Sequence, residues 1–322
     1  MGRRARIVAL SAMTVIAGGT AACGVTAAAP VPPGTSRPAA AATAQPRPTP
    51  TPSRPAGPAL RVTGAPARVR ARGAILADAA TGQVLWSRDA DTRRPMASVT
   101  KVMTALLVLE SGRPDRKIRV PRAAFDYAWK YGGETAGLHP GDVLTTRELL
   151  AALLLPSGAD AAYTLASSYG PGLGTFVARM NAAAAQLGMT HTHFASPDRL
   201  PYPTGTSTYS TPSDLLRLGQ AAMRYRVFRS IVDLDFYHLA KGPGHHQYWW
   251  DNTDALIGSY PGATGIKDGY TDAAGHCLLF EASRPGRTLI GVVLHSPATG
   301  VAAGAQAAEQ MLNWGFALRR AR

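Results

Sequence analysis

The apolar residues of this chain are gathered into runs, and the residues between the runs separate strands from helices. Gly73 to Ala79 and Val84 to Arg88 read as two strands, and Ala80-Thr81-Gly82-Gln83 between them has hairpin turn chemistry. Pro95 stops any earlier helix, and the run from Val102 to Leu109 has the length and residue types of a buried helix that ends at Ser111-Gly112. Thr145-Thr146-Arg147-Glu148 has the capping-box pattern ahead of Leu149 to Leu155, and Pro156 closes that helix. After the tight connection Ser157-Gly158-Ala159, Asp160 is placed to cap a helix reaching Tyr169-Gly170. Thr175 to Leu187 is a further helix, stopped by Gly188, and Thr211-Pro212-Ser213-Asp214 opens another with proline first and an acid in its first turn. Then the pattern changes. Gly265 to Lys267, His276 to Ala282 and Thr288 to His295 read as antiparallel strands, the last two joined by Arg284-Pro285-Gly286-Arg287, and Gly300 to Leu318 returns as a helix. This order predicts an α/β fold of the α+β kind, a sheet completed by both chain ends around a helical insertion spanning about residues 98–235.

Residues 1–70 lie outside that pattern. Met1 to Cys23 has a basic start, an apolar stretch from Ile7 to Ala17 and small residues before Cys23, the make-up of a secretion signal; the stretch is too short to cross a bilayer. Thr20-Ala21-Ala22-Cys23 resembles the lipobox of bacterial lipoproteins, which would make Cys23 the acylated first residue, although threonine stands where leucine is usual. Cleavage after Ala27-Ala28-Ala29 is the rival reading. Eleven of the 37 residues from Pro30 to Pro66 are proline, which predicts an extended tether over residues 24–70 ahead of a folded domain at 71–322. At roughly 3 Å per residue, such a tether reaches on the order of 100 Å. It suits an exported protein held at the outer face of a membrane and working in the cell wall. The net charge of +14 is concentrated here: residues 1–72 carry ten Arg and no Lys, Asp or Glu, leaving only +4 for the rest. Nucleic-acid binding by the folded part is therefore not implied. With Cys23 and Cys277 the only cysteines, no disulfide framework is expected.

The candidate chemistry begins at Ser98 and Lys101. Three apart on a helix, they share a face, and an amine beside a hydroxyl can act as its base once desolvation or another cation lowers the amine's pKa. A helix mouth adds free N–H groups that favour an oxyanion. A capping serine followed by a solvated lysine is the plain alternative. Ser157-Gly158-Ala159 at a helix joint and Lys267-Asp268-Gly269 on a strand follow in order. With Leu155 to Ala162, Leu187-Gly188-Met189, Tyr209-Ser210-Thr211, Gly265-Ile266-Lys267 and Trp314-Gly315-Phe316, the chain resembles the penicillin-recognising serine enzymes over about residues 71–318. Specifically, it resembles low-molecular-mass penicillin-binding proteins of the D-alanyl-D-alanine carboxypeptidase type.

That resemblance implies a five-stranded antiparallel sheet flanked by helices, a monomer, and no metal or organic cofactor. It implies a peptidoglycan stem peptide ending in D-Ala-D-Ala as substrate and β-lactams as covalent inhibitors. Ser98 would attack the penultimate carbonyl, Lys101 would take its proton and Ser157 would relay a proton to the leaving amine. Lys267 would supply positive charge near the relay serine, and the N–H groups of Ser98 and Tyr270, after Asp268 and Gly269 on the substrate-binding strand, would form the oxyanion hole. The chain also departs from the family, which usually has Asn at Ala159, Thr at Asp268 and an Arg ahead of the Trp-Gly-Phe triplet. A lost hydrogen bond to a charged group costs about 1.5 to 3 kcal/mol. Asp268 about 4 Å from a substrate carboxylate would add roughly 4 kcal/mol of repulsion at an effective dielectric near 20, unless it points away or pairs with Lys267. An active hydrolase of altered preference is expected, with an inactive wall-binding module as the alternative. A β-lactamase is disfavoured because Ser-Asp-Asn and a Glu-x-x-x-Asn loop are missing.

His191-Thr192-His193 and His245-His246 lack carboxylate partners at ligand spacing and read as surface loops. Tyr248-Trp249-Trp250 reads as a partly buried aromatic cluster bordering the cleft, with sugar stacking as the other reading, and Cys277 as a small core residue.

Overall fold

A computed structural model of the chain describes residues 60–200, 204–297, 300 and 302–319. The opening hairpin pairs β1 (Gly73–Asp78) with β2 (Val84–Arg88), and the Asp78 carboxylate accepts from the N–H groups of Ala80 and Thr81 to fold the turn. A short β3 (Arg94–Pro95) leads into a 3₁₀ turn (Ala97–Thr100) and α1 (Lys101–Leu109). The insertion continues through β4 (Lys117–Arg119), α2 (Arg122–Lys130), β5 (Val143–Thr145), α3 (Thr146–Leu154), α4 (Ala159–Tyr169) and α5 (Leu173–Gln186). It goes on through β6 (Tyr209–Ser210), α6 (Pro212–Ala222) and α7 (Arg226–Val232), and runs past the expected end near residue 235 into the hairpin of β7 (Phe236–Leu239) with β8 (Tyr248–Asp251), which forms its own two-stranded sheet. Then β9 (Ala263–Thr271), β10 (Gly275–Arg284), β11 (Arg287–Ser296) and α8 (Ala303–Ala317) complete the chain.

The main sheet has five strands in the order β2-β1-β11-β10-β9, all antiparallel. Because β1 pairs with β11, from Gly73 opposite Leu294 to Asp78 opposite Leu289, the two ends of the folded region close the sheet and β9 is left as an edge. Side chains alternate across the sheet with the strand period of two. Leu279, Ile290 and Val292 pack with the helices of the insertion, whereas Leu278, Phe280, Leu289 and Val293 pack with Met311 and Leu312 of α8. Gly291 is required where the layers meet: a Cβ there would lie 2.4 Å from the Phe280 ring and 2.8 Å from the Ile75 carbonyl. All nine residues of α1 are buried, so the helix that carries Lys101 is the core of the insertion. Each fully buried Leu or Val of that helix contributes about 1.5–3 kcal/mol, which holds its mouth in place.

Helix starts follow local chemistry. Thr145 Oγ1 accepts from Glu148 N while Glu148 Oε2 accepts from Thr145 N, the reciprocal capping box, and Thr211 Oγ1 accepts from Asp214 N at the start of α6. Other expectations are corrected. Packing starts ahead of Ala71: Leu60 and Val69 are buried, Gln83 clasps the Leu60 backbone from both sides, and Arg61 N donates to the Arg319 carbonyl. Leu60 and Val69 are apolar groups inside a proline-rich composition, and they fill the α8 side of the sheet. α1 ends at Leu109, before Ser111-Gly112, and the strands β9 and β10 run past the expected segments. Asp160 is inside α4, and the cap position belongs to Gly158. Expectations for Cys23, the secretion signal and the tether as far as residue 59 lie outside the described residues.

Candidate active site

Ser98 lies in the 3₁₀ turn rather than in the first turn of the α-helix, because Ala97 takes a left-handed φ of 49° that tightens the entry. Thr100 Oγ1 donates to the Ala97 carbonyl at 2.7 Å and fixes that turn. One residue beyond it, Lys101 begins α1, so the two side chains converge: Nζ lies 3.1 Å from Ser98 Oγ and 3.2 Å from Ser157 Oγ. Burial is the main force on the Lys101 amine, which is lowered to about 8. Lys267 and Arg199 also lower it, while Asp198 and Glu134 oppose the shift.

Ser157 reaches this amine through a strained backbone. Pro156 ends α3, and Ser157 turns at φ 66°, a conformation costing a non-glycine residue about 1–2 kcal/mol. The turn is held by Gly158 N on the Ala152 carbonyl and by Ala159 N on the Glu134 carbonyl. Asp160 supports the same place from within α4. Its carboxylate accepts from Ala136 N, Leu138 N and Thr135 Oγ1, and so anchors the loop that carries Glu134. Ala159 is buried among Ala128 and Leu200, an apolar floor where the resemblance expects an amide.

The third wall is β9. Gly269 has to lack a side chain, since a Cβ would lie 2.5 Å from Ser98 N. This contact presses the strand against the Ser98 backbone N–H, where the resemblance places the oxyanion hole. Lys267 is buried, and its Nζ lies 2.6 Å from Asp268 Oδ1 and 3.3 Å from Thr253 Oγ1. Thr253 donates to Asp268 at 2.7 Å as well. Burial pushes the Asp268 carboxyl upward, but Lys267 and these hydrogen bonds outweigh it and hold the group below the usual carboxylate range. The feared repulsion is therefore moderated by an ion pair, and Lys267 acts on Lys101 through its field while its own hydrogen bonds run to Asp268 and Thr253. Tyr270 is 40 % exposed and its OH donates to Asp272. A cavity of about 390 Å³ beside β9 is lined by Thr253, Asp254, Asp268, Tyr270 and His276 among others.

Sequence reasoning missed Arg199. Its Nε donates to Ser98 Oγ at 3.3 Å and its Nη2 to Glu134 Oε2 at 2.9 Å. No motif marks it. The only signal is the loop chemistry around it, with Arg199 N donating to Ser196 Oγ. Beneath it, Asp198 is buried, receives Tyr127 OH and Leu200 N, and is raised by that burial against the pull of Lys101.

Of the remaining candidates, Cys277 sits opposite Gly269 on β10 and lines the same cavity beside β9. His246 pairs with Asp142 and stacks on His139, His191 N donates to Asp214, and no group of metal-ligating side chains occurs among the described residues. The aromatic triplet is split. Tyr248 and Trp250 are buried, with Trp250 Nε1 donating to the Ala136 carbonyl, whereas Trp249 is 54 % exposed and stacks on Phe236. Cys277 is buried and its thiol is pushed up to about 12 by that burial.

A family profile described as D-alanyl-D-alanine carboxypeptidase (peptidase S11) matches residues 61–298. The D-alanyl-D-alanine carboxypeptidase of Streptomyces sp. strain K15 is 40% identical over 250 residues, covering 74% of this chain and 84% of the relative. DacB2 of Mycobacterium tuberculosis, a D-alanyl-D-alanine carboxypeptidase, is 39% identical over 246 residues, covering 76% and 81%. The crystal structure of the Streptomyces K15 DD-transpeptidase superposes with a TM-score of 0.74 at 38% identity, covering 80% of this chain and 100% of that one. The cleft where Ser98, Lys101, Ser157 and Lys267 gather thus stands on a fold shared with the Streptomyces K15 structure, and the chain belongs to the D-alanyl-D-alanine carboxypeptidase family of serine peptidases.

Proposed function

We propose that this chain is a serine D-alanyl-D-alanine carboxypeptidase acting on peptidoglycan stem peptides through an acyl-enzyme on Ser98. The observation that carries the reading is the position of Lys101 Nζ between two hydroxyls, at 3.1 and 3.2 Å, inside a buried site. Lys101 takes the Ser98 proton, Oγ bonds to the carbonyl carbon of the penultimate D-alanine, and the tetrahedral oxyanion is met by the Ser98 N–H beside Gly269. Ser157 then passes a proton from Lys101 to the departing amine of the terminal D-alanine. Water, with Lys101 again as base, releases the shortened peptide. The Lys267–Asp268 pair makes the leaving-group side less cationic than a lone lysine would, which supports a narrowed preference for the terminal residue.

The same reading covers export: residues 1–23 carry the protein across the membrane, Cys23 is its lipid anchor, and the segment as far as residue 59 lets a monomeric catalytic domain reach the wall. β-Lactams are expected to acylate Ser98. The test is D-alanine release from a diacyl-Lys-D-Ala-D-Ala peptide, with and without an amine acceptor, beside mass spectrometry after penicillin treatment. Release together with one adduct on Ser98, both abolished in a folded Ser98→Ala variant, is the expected result. Penicillin turnover without D-alanine release would instead mark a β-lactamase, and neither reaction would leave a wall-binding module.

A further inference from the structure

Ser98 Oγ has a second cationic neighbour besides the lysine. Arg199 reaches it from a loop in a different part of the chain, its side chain only 14 % exposed, with Nε at 3.3 Å. Glu134, fixed on the loop that Asp160 anchors, grips the other end of the guanidinium at 2.9 Å. The backbone of Arg199 is left-handed at φ 92°, a conformation that glycine adopts freely and arginine does not. An ordinary surface ion pair requires neither this strain nor the contact with a nucleophile.

We propose that Arg199 is a further catalytic residue, whose guanidinium stabilises the negative charge that develops on Ser98 Oγ, with Glu134 as its positioning residue. The inference rests on the acyl-enzyme reading above. As Lys101 Nζ receives the proton, the electron pair left on Oγ moves toward the substrate carbonyl carbon. A guanidinium has only donors, so Arg199 contributes field and a hydrogen bond while exchanging no proton in the step. Its field acts on the base too. The groups facing Lys101 are Ser98, Ser157, Asp198, Glu134, Lys267 and Arg199, of which Lys267 and Arg199 are the cations that lower it.

Arg199→Gly separates this role from folding, because it deletes the guanidinium while relaxing the backbone, so its Tm should hold or rise. The rate of Ser98 acylation by a fluorescent penicillin, followed from pH 6 to 10, should fall by about 10- to 100-fold, in line with removal of a charge-stabilising donor. The limb that rises as Lys101 loses its proton should also move to higher pH, because one cation that disfavours the ammonium is gone. Arg199→Lys should keep the limb near its wild-type position while remaining slower, since an ammonium lacks the fork. An Arg199→Gly enzyme labelled as fast as wild type or faster, or slowed with an unmoved limb, overturns the inference alone. Wild-type protein that takes no label on Ser98, as Ser98→Ala should not, overturns the acyl-enzyme reading and the inference with it.

Discussion

Lys101 and Lys267 are both about 1 % exposed, and the cleft holds them in opposite ways. Lys101 projects from an entirely buried helix onto two hydroxyls, neither of which can neutralise an ammonium, so burial lowers it to about 8. Lys267 projects from an edge strand onto a carboxylate at 2.6 Å, which compensates its charge. Equal burial therefore goes with two hydroxyl partners on one wall and a carboxylate partner on the other. The neighbour rather than the depth sets the two amines apart.

The largest expected effect breaks the first half of this contrast. Lys101→Met removes the base while leaving a chain of similar length in an apolar helix. Acylation of Ser98 should fall by about a thousandfold, within the span of general-base losses, with Tm unchanged or higher. Loss of fold instead would show the amine to be structural. A smaller effect sharpens the second half. Asp268→Thr frees Lys267 from its partner and adds positive field beside the leaving group. D-alanine release should rise by about tenfold, corresponding to about 1.4 kcal/mol. Because Lys267 is one of the cations that lower Lys101, freeing its charge should also move the pH limb of acylation to lower pH. Slower release would show that the ion pair helps turnover rather than restrains it.

How much of this was legible depended on the range of the interactions concerned. The capping box at Thr145 and the cap at Thr211 were readable because their partners lie three residues away. Ser98, Lys101 and Ser157 were readable as an ordered set of motifs, although the 3₁₀ turn was not, since it depends on the backbone angle of Ala97. Asp160 was misplaced because a capping acid and an anchoring acid are the same residue type at nearly the same position. Only the fold shows that its acceptors face Ala136 and Leu138. Leu60 and Val69 were hidden by the prolines around them, and Arg199 by a contact with Ser98 across 101 residues of chain.

Acylation of Ser98 requires a Lys101 amine that is uncharged at the moment it is needed, and the pH dependence of that acylation in the wild-type protein tests this most directly. A base lowered to about 8 is protonated and idle below that pH and active above it, so the labelling rate should climb through a midpoint near pH 8 and level off before pH 10. A flat profile between pH 6 and 10, or a climb that starts only where an ordinary lysine titrates, would contradict it.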